Sequence, residues 1–173
     1  MSSVLAQVLA TKLDQDATLI AEMLAMIPSS AQHWHPDWPA PTPFNTTRLA
    51  AHLVDCMAGL VACFYRLHPH ALTHFNTLRE QLANAPDASL PESQAFFALC
   101  RTHIAEGFSH TTDLHLAQLI PTYFSPQGEV FLSVLLENAK HLNHHAYQLF
   151  LYLKLLGIPV STQHLYHFRT APE

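Results

Sequence analysis

An all-α fold, a bundle of four long helices with one short extra helix, is what the sequence predicts. Three observations predict it. Apolar residues recur at spacings of three and four over most of the chain. Alternation with period two, the mark of a half-buried strand, is nearly absent. The periodic runs are separated by segments of unequal length in which many of the 12 prolines collect, and clustered prolines exclude regular helix.

The elements follow in order. Val4, Leu5, Val8, Leu9, Leu13, Ile20, Leu24 and Ile27 mark a first helix that stops before Pro28. The stretch "HWHPDWPAPTPF" is a proline-punctuated crossing. "NTTRLAAHLVDCMAGLVACFYRL" predicts a second helix, with Asn45 or Thr46 as N-cap and Pro69 just beyond its end. Leu72 to Ala85 is shorter and more polar and predicts the extra helix. After a turn at "PDASLPESQ", a helix from Ser93 to about His110 buries Phe96, Phe97, Leu99, Cys100 and Ile104. "HTTDLHLAQLIPTYFSPQG" is irregular with room for one extended stretch. The last helix runs from about Gln127 to Leu156 and ends at Gly157, a natural C′ residue, with Pro159 soon after.

Composition narrows the class. At 173 residues the chain predicts one domain over 1–173, and 49% hydrophobic against 12% charged residues is the profile of a packed core. A formal charge of −5 leaves no electrostatic footprint for nucleic acid or an anionic membrane surface. The 14 histidines, however, swing the charge positive in mild acid. The first residues lack the basic and long apolar regions of a signal peptide. The richest apolar window, Ala146 to Val160, contains Lys154 and is too short to span a bilayer. Cys56, Cys63 and Cys100 are odd in number and lie in apolar runs, as expected of reduced thiols in a cytoplasmic protein.

The histidines of "KHLNHHAYQLFLYLKLLG" interrupt a helix that otherwise wants leucine. His141 and His145, four apart, share a face, whereas His144 points about 100° away from His145. Two imidazoles at that spacing chelate a divalent ion only if another helix supplies a third. The second helix carries the row Arg48, His52, Cys56, Gly59, Cys63; the last carries Glu137, His141, His145, Gln148, Tyr152. Two such polar rows facing each other form a metal site, a catalytic cavity or a hydrogen-bonded core. A lone histidine on an apolar helix is most often the last of these. Glu137 is placed as base or as holder of a ligand imidazole, Gln148 as a polar wall, and Tyr152 and Arg48 as substrate contacts or packing. Trp34, Trp38 and Tyr123 are candidates for a pocket mouth. Gly59 provides either close helix packing or room in a cavity. His33, His35, His68, His70, His74 and His110 fall in loops and caps and are expected to be solvated, and His164 and His167 lie in the tail.

With these residues in view, the chain resembles the DinB/YfiT-like superfamily of bacterial four-helix metal-binding proteins. "HLNHHAYQLFLYLKLLG" is similar to the family's H-x-x-H-H-R-x-Q segment and the leucine-rich run that ends in glycine. "PFNTTRLAAHLVDC" is similar to its aromatic-Ser-x-x-x-x-x-His-Leu segment, with Phe44 in the aromatic place. Ala146 stands where arginine is frequent and Asn45 where serine is common; neither change removes a ligand. The resemblance implies an up-down-down-up bundle and a divalent ion (zinc, nickel, iron or manganese) on His52, His141 and His145. It also implies a homodimer. Activities in the family include thiol S-transfer, a thiol-dependent isomerisation and a hydrolysis. The expectation is a metal-dependent enzyme that activates a low-molecular-weight thiol or water against a small-molecule substrate. The alternative is a metal-binding stress or structural dimer without turnover.

Overall fold

A computed structural model describes residues 3–37, 44–82, 88–122 and 125–166. Among these the chain is mostly helical: α1 is Val4–Ala25, α2 Thr46–Leu67, α3 Phe75–Leu82, α4 Leu90–Ser109, α5 Asp113–Leu116 and α6 Phe131–Leu155. Single 3₁₀ turns occupy Ser29–Ala31 and Thr162–His164. Two short strands, β1 (Leu119–Ile120) and β2 (Glu129–Val130), pair antiparallel, Leu119 opposite Val130 and Ile120 opposite Glu129.

The helix ends follow from side-chain capping. Asn45 accepts a hydrogen bond from the Arg48 backbone N–H at 2.8 Å and starts α2. α4 begins three residues before its expected start, because Ser89 and Glu92 form a capping box with Pro91 in the first turn. α6 begins at Phe131 rather than near Gln127, since the two preceding residues are spent in the β1–β2 pair. Its end is as expected: Gly157 adopts a left-handed φ of 76°. The irregular stretch after His110 resolves into α5 and β1; the extra helix covers Phe75–Leu82, and the rest of its expected span to Ala85 lies outside the described residues.

The core lies where α2 packs on α4 and α6 while α1 packs on the same two helices. Leu49, Leu53, Leu60, Phe64, Leu142, Leu149 and Leu153 have no exposed surface. By length and mean hydropathy of 1.4, α2 alone among the described residues meets the requirement for crossing a membrane, yet 56% of that window is buried inside the fold. A core helix satisfies the same requirement.

One close approach sets the α2–α4 spacing. A Cβ on Gly107 would stand 2.4 Å from Cγ of Phe64, whose ring is held edge-on by Phe108 and Phe131 at 4.8 and 5.3 Å between centroids. Gly107→Ala gains up to about 1 kcal/mol of helix propensity. It loses more to overpacking, typically about 1–3 kcal/mol, because the ring has no direction in which to yield. We expect a net destabilisation of roughly 1–2 kcal/mol in urea unfolding; an unchanged or raised midpoint would show that the helices separate freely.

His68, expected to be solvated, is half-buried at the end of α2 and donates from Nε2 to Thr111 Oγ1 at 3.1 Å, that hydroxyl being committed to the Gly107 carbonyl at 2.8 Å. Burial, with His115 and His110 nearby, lowers its pKa from 6.5 to about 4. The unfolded chain therefore takes up this proton first as pH falls. His68 contributes its full stability above about pH 6.5 and loses it between there and about pH 4. The urea midpoint should drop across that window, and by less in His68→Asn.

Candidate metal centre

His52 lies two turns into α2, and His141 and His145 lie on one face of α6. Because α2 and α6 pack together, the three rings meet: Nε2 of His52 is 3.1 Å from Nε2 of His145 and 3.3 Å from Nε2 of His141. His52 and His145 are half-buried and His141 is exposed, so the cluster opens to solvent on the His141 side. His144 is exposed on α6 and stands outside the cluster.

The donor set fits a divalent ion. Two nitrogens bound to one zinc at ~2.05 Å stand about 2.9 Å apart at a right angle and about 3.3 Å apart at the tetrahedral angle. The observed 3.1 and 3.3 Å fall in that interval. Hydrogen bonding alone accounts for the cluster poorly, because His52 Nε2 faces two other ring nitrogens and one N–H cannot serve both well.

The polarity of the neighbouring bonds fixes which nitrogen of His145 is free. Tyr152 Oη donates to the Phe44 carbonyl at 2.8 Å, since a carbonyl only accepts. Its oxygen then accepts from Gln148 Nε2 at 3.1 Å. The Gln148 amide is thereby oriented with Oε1 toward His145 Nδ1, 3.0 Å away, and that nitrogen must donate. In the neutral ring Nε2 is left with a lone pair directed at His52 and the cluster centre.

Electrostatics keep His52 and His145 neutral. Burial first, then His145, His141 and Arg48, lower the His52 pKa from 6.5 to about 4. Burial also lowers that of His145, against the Gln148 hydrogen bond, which raises it. Both rings therefore present unprotonated nitrogen at neutral pH, the form that binds metal.

The remaining expected residues take distinct places. Tyr152 has no exposed surface, so it offers substrate no face; it positions Gln148 and packs edge-on against Trp34 at 5.3 Å. Gln148 is likewise a positioning residue rather than a free wall, its amide committed at both ends. Trp34 packs on Tyr152; Trp38, Tyr123 and His167 lie outside the described residues. Arg48 is exposed with its guanidinium 5.7 Å from the centroid of Phe44, a ring that flanks His52 at 5.2 Å and His145 at 6.2 Å. Glu137 is exposed, 3.4 Å from Lys140 Nζ, and borders a groove of about 700 Å³ between α2 and α6. Gly59, Cys63, Arg66, Glu129 and Asn138 also line that groove.

Gly59 leaves room in the groove: a Cβ there would meet only Asn138 Oδ1, at 3.4 Å. Burial raises the thiol pKa of Cys56 to about 12 and of Cys63 to about 11, which keeps both protonated at neutral pH. Sequence reasoning missed the part played by Phe44. Its carbonyl anchors the Tyr152–Gln148–His145 chain, and no sequence spacing signals a contact across 108 residues.

In comparison with known proteins, the chain matches no protein-family model and no curated protein.

The chain of positioning bonds yields a graded prediction. Gln148→Leu removes the acceptor at His145 Nδ1 and should weaken zinc binding about 10–100-fold. Tyr152→Phe leaves Gln148 in place but frees its orientation and should weaken binding less. Equal affinity of all three proteins in a competition titration would show that the tautomer of His145 is set elsewhere.

Proposed function

We propose that this chain is a divalent-metal-binding protein of the DinB/YfiT-like kind whose His52, His141 and His145 hold the ion of a metal-dependent enzyme. The observation that carries the reading is the convergence of three imidazoles, with Nε2 of His145 and of His141 at 3.1 and 3.3 Å from Nε2 of His52 and the cluster open to solvent on one side. Contacts between helices support the bundle that goes with it. Gly107 meets Phe64 near the C-terminal ends of α4 and α2, so these two run the same way. His52 meets His141 and His145 while Phe64 meets Phe131, so α6 runs against α2. Gln94 donates to the Leu24 carbonyl and Arg101 pairs with Asp14, so α1 runs against α4. Together these correspond to the up-down-down-up order.

His52, His141 and His145 would hold the ion, which when bound would supply a lowered pKa for a water or thiol and polarisation of an electrophile beside it. The protein supplies the rest. The Phe44 ring walls one side of the histidines and limits access there. The 700 Å³ groove begins one turn from His141, at Glu137, and offers a small molecule mixed surroundings. Arg66 and Glu129 present charge to it, and Gly59 and Val134 present apolar surface. Glu137 is the carboxylate best placed to take a proton from a nucleophile delivered along the groove, because it shares the His141 face of α6. The reaction class that fits is transfer of a small thiol, or of water, to a small electrophile.

Metal content measured on untagged protein tests this. Wild type reconstituted with zinc, nickel or manganese should hold ion at the cluster, and a His52→Ala, His141→Ala variant should lose one equivalent. Thiol transfer and hydrolysis should then depend on the ion and fall at least 100-fold in Glu137→Gln. Unchanged metal content in the double variant would remove the metal reading. Bound metal with no turnover would favour a non-catalytic metal-binding protein.

A further inference from the structure

A second cluster of ligand atoms lies away from the first. α2 runs 16 residues from His52 to His68, roughly 24 Å along its axis, before the loop that carries His74. His74 precedes α3, whereas His103 and Glu106 are one turn apart on α4. Nε2 of His74 is 2.9 Å from Glu106 Oε2, and Nδ1 of His103 is 3.6 Å from the same oxygen. All three ligand atoms lie within 4.8 Å of one another.

His103 gives this cluster its meaning. Its side chain is only 14% exposed, and its Nδ1 is buried with no hydrogen-bond partner. A buried ring nitrogen without a partner is costly and is uncommon unless a ligand satisfies it. An ion pair between His74 and Glu106 explains the shorter contact but leaves His103 Nδ1 only a long, 3.6 Å approach to the same carboxylate oxygen. Phe75 fixes both rings, standing edge-on to His74 at 4.9 Å and to His103 at 4.6 Å between centroids. His74 and Glu106 are 46% and 37% exposed and free to close on an ion by small side-chain rotations.

We propose that His74, His103 and Glu106 form a second divalent-cation site, independent of the first, that clips the loop before α3 onto α4. Two imidazoles and one carboxylate suit zinc, nickel, cobalt(II) or iron(II) over magnesium or calcium, which prefer all-oxygen sets. Water completes the coordination on the exposed side. The site ties segments joined by a connection that includes residues outside those described, and its first role is to hold that end of the fold together.

The test is a zinc titration of the full, untagged, metal-stripped chain by calorimetry, with bound zinc counted by elemental analysis. Wild type should bind one more zinc per chain than a His74→Asn, Glu106→Gln variant, both positions being partly exposed and tolerant of substitution. The difference is read whether or not the first site fills. Zinc should also raise the melting temperature of a His52→Ala, His141→Ala protein by several degrees, and this rise should vanish when His74→Asn and Glu106→Gln are added. Equal zinc content in wild type and His74→Asn, Glu106→Gln, with matching circular dichroism, would overturn the site. So would a melting temperature in the His52→Ala, His141→Ala protein that zinc does not move.

Discussion

The packing of α2 against α6 is the constraint on which the rest of this molecule depends. Leu49, Leu53, Leu60 and Phe64 from one helix and Leu142, Leu149 and Leu153 from the other are removed from water completely. That burial is the force that brings His52 to within 3.1–3.3 Å of His145 and His141. Three imidazoles do not attract one another strongly enough to assemble alone. The apolar residues flanking them on both helices hold the donors in place, and the donors in turn are free to be spent on a ligand.

A second layer of polar contacts converts proximity into chemistry. The Phe44 carbonyl, Tyr152, Gln148 and His145 form a sequence of bonds in which each polarity forces the next. Buried polar networks stabilise only when every member is satisfied, and this one is satisfied at each link. The groups beyond the ligands are therefore not passive packing; they decide which nitrogen of His145 is offered. At the other end of α2 the logic is reversed. His103 Nδ1 is buried without a hydrogen bond of normal length, its nearest acceptor being Glu106 Oε2 at 3.6 Å, and this distinguishes the His74–His103–Glu106 cluster from an ordinary surface ion pair.

The histidine count also gains a physical sense. Fourteen histidines in a chain with eight lysines and arginines look like a pH-sensitive surface. Several instead sit in contact with one another in partly buried groups, His52 with His141 and His145, His68 with His110 and His115, His74 with His103. Burial and mutual repulsion lower the pKa values of His52, His68 and His103. These three rings stay neutral where solvated imidazoles begin to charge.

By itself the sequence determined the helical class, the long helices and most of their ends, because apolar spacing, capping residues and prolines act over a few residues. It also determined which faces of α2 and α6 carry His52, His141 and His145, since a helix fixes direction every residue. Only the tertiary structure decided that these faces meet. It alone showed that Tyr152 is a buried support and not a substrate contact, and that Phe44 anchors it. His74 and His103 were illegible as a pair for the same reason. The i, i+3 spacing of His103 and Glu106 was visible, but the loop histidine that joins them arrives through packing, and packing depends on every apolar residue in the core at once.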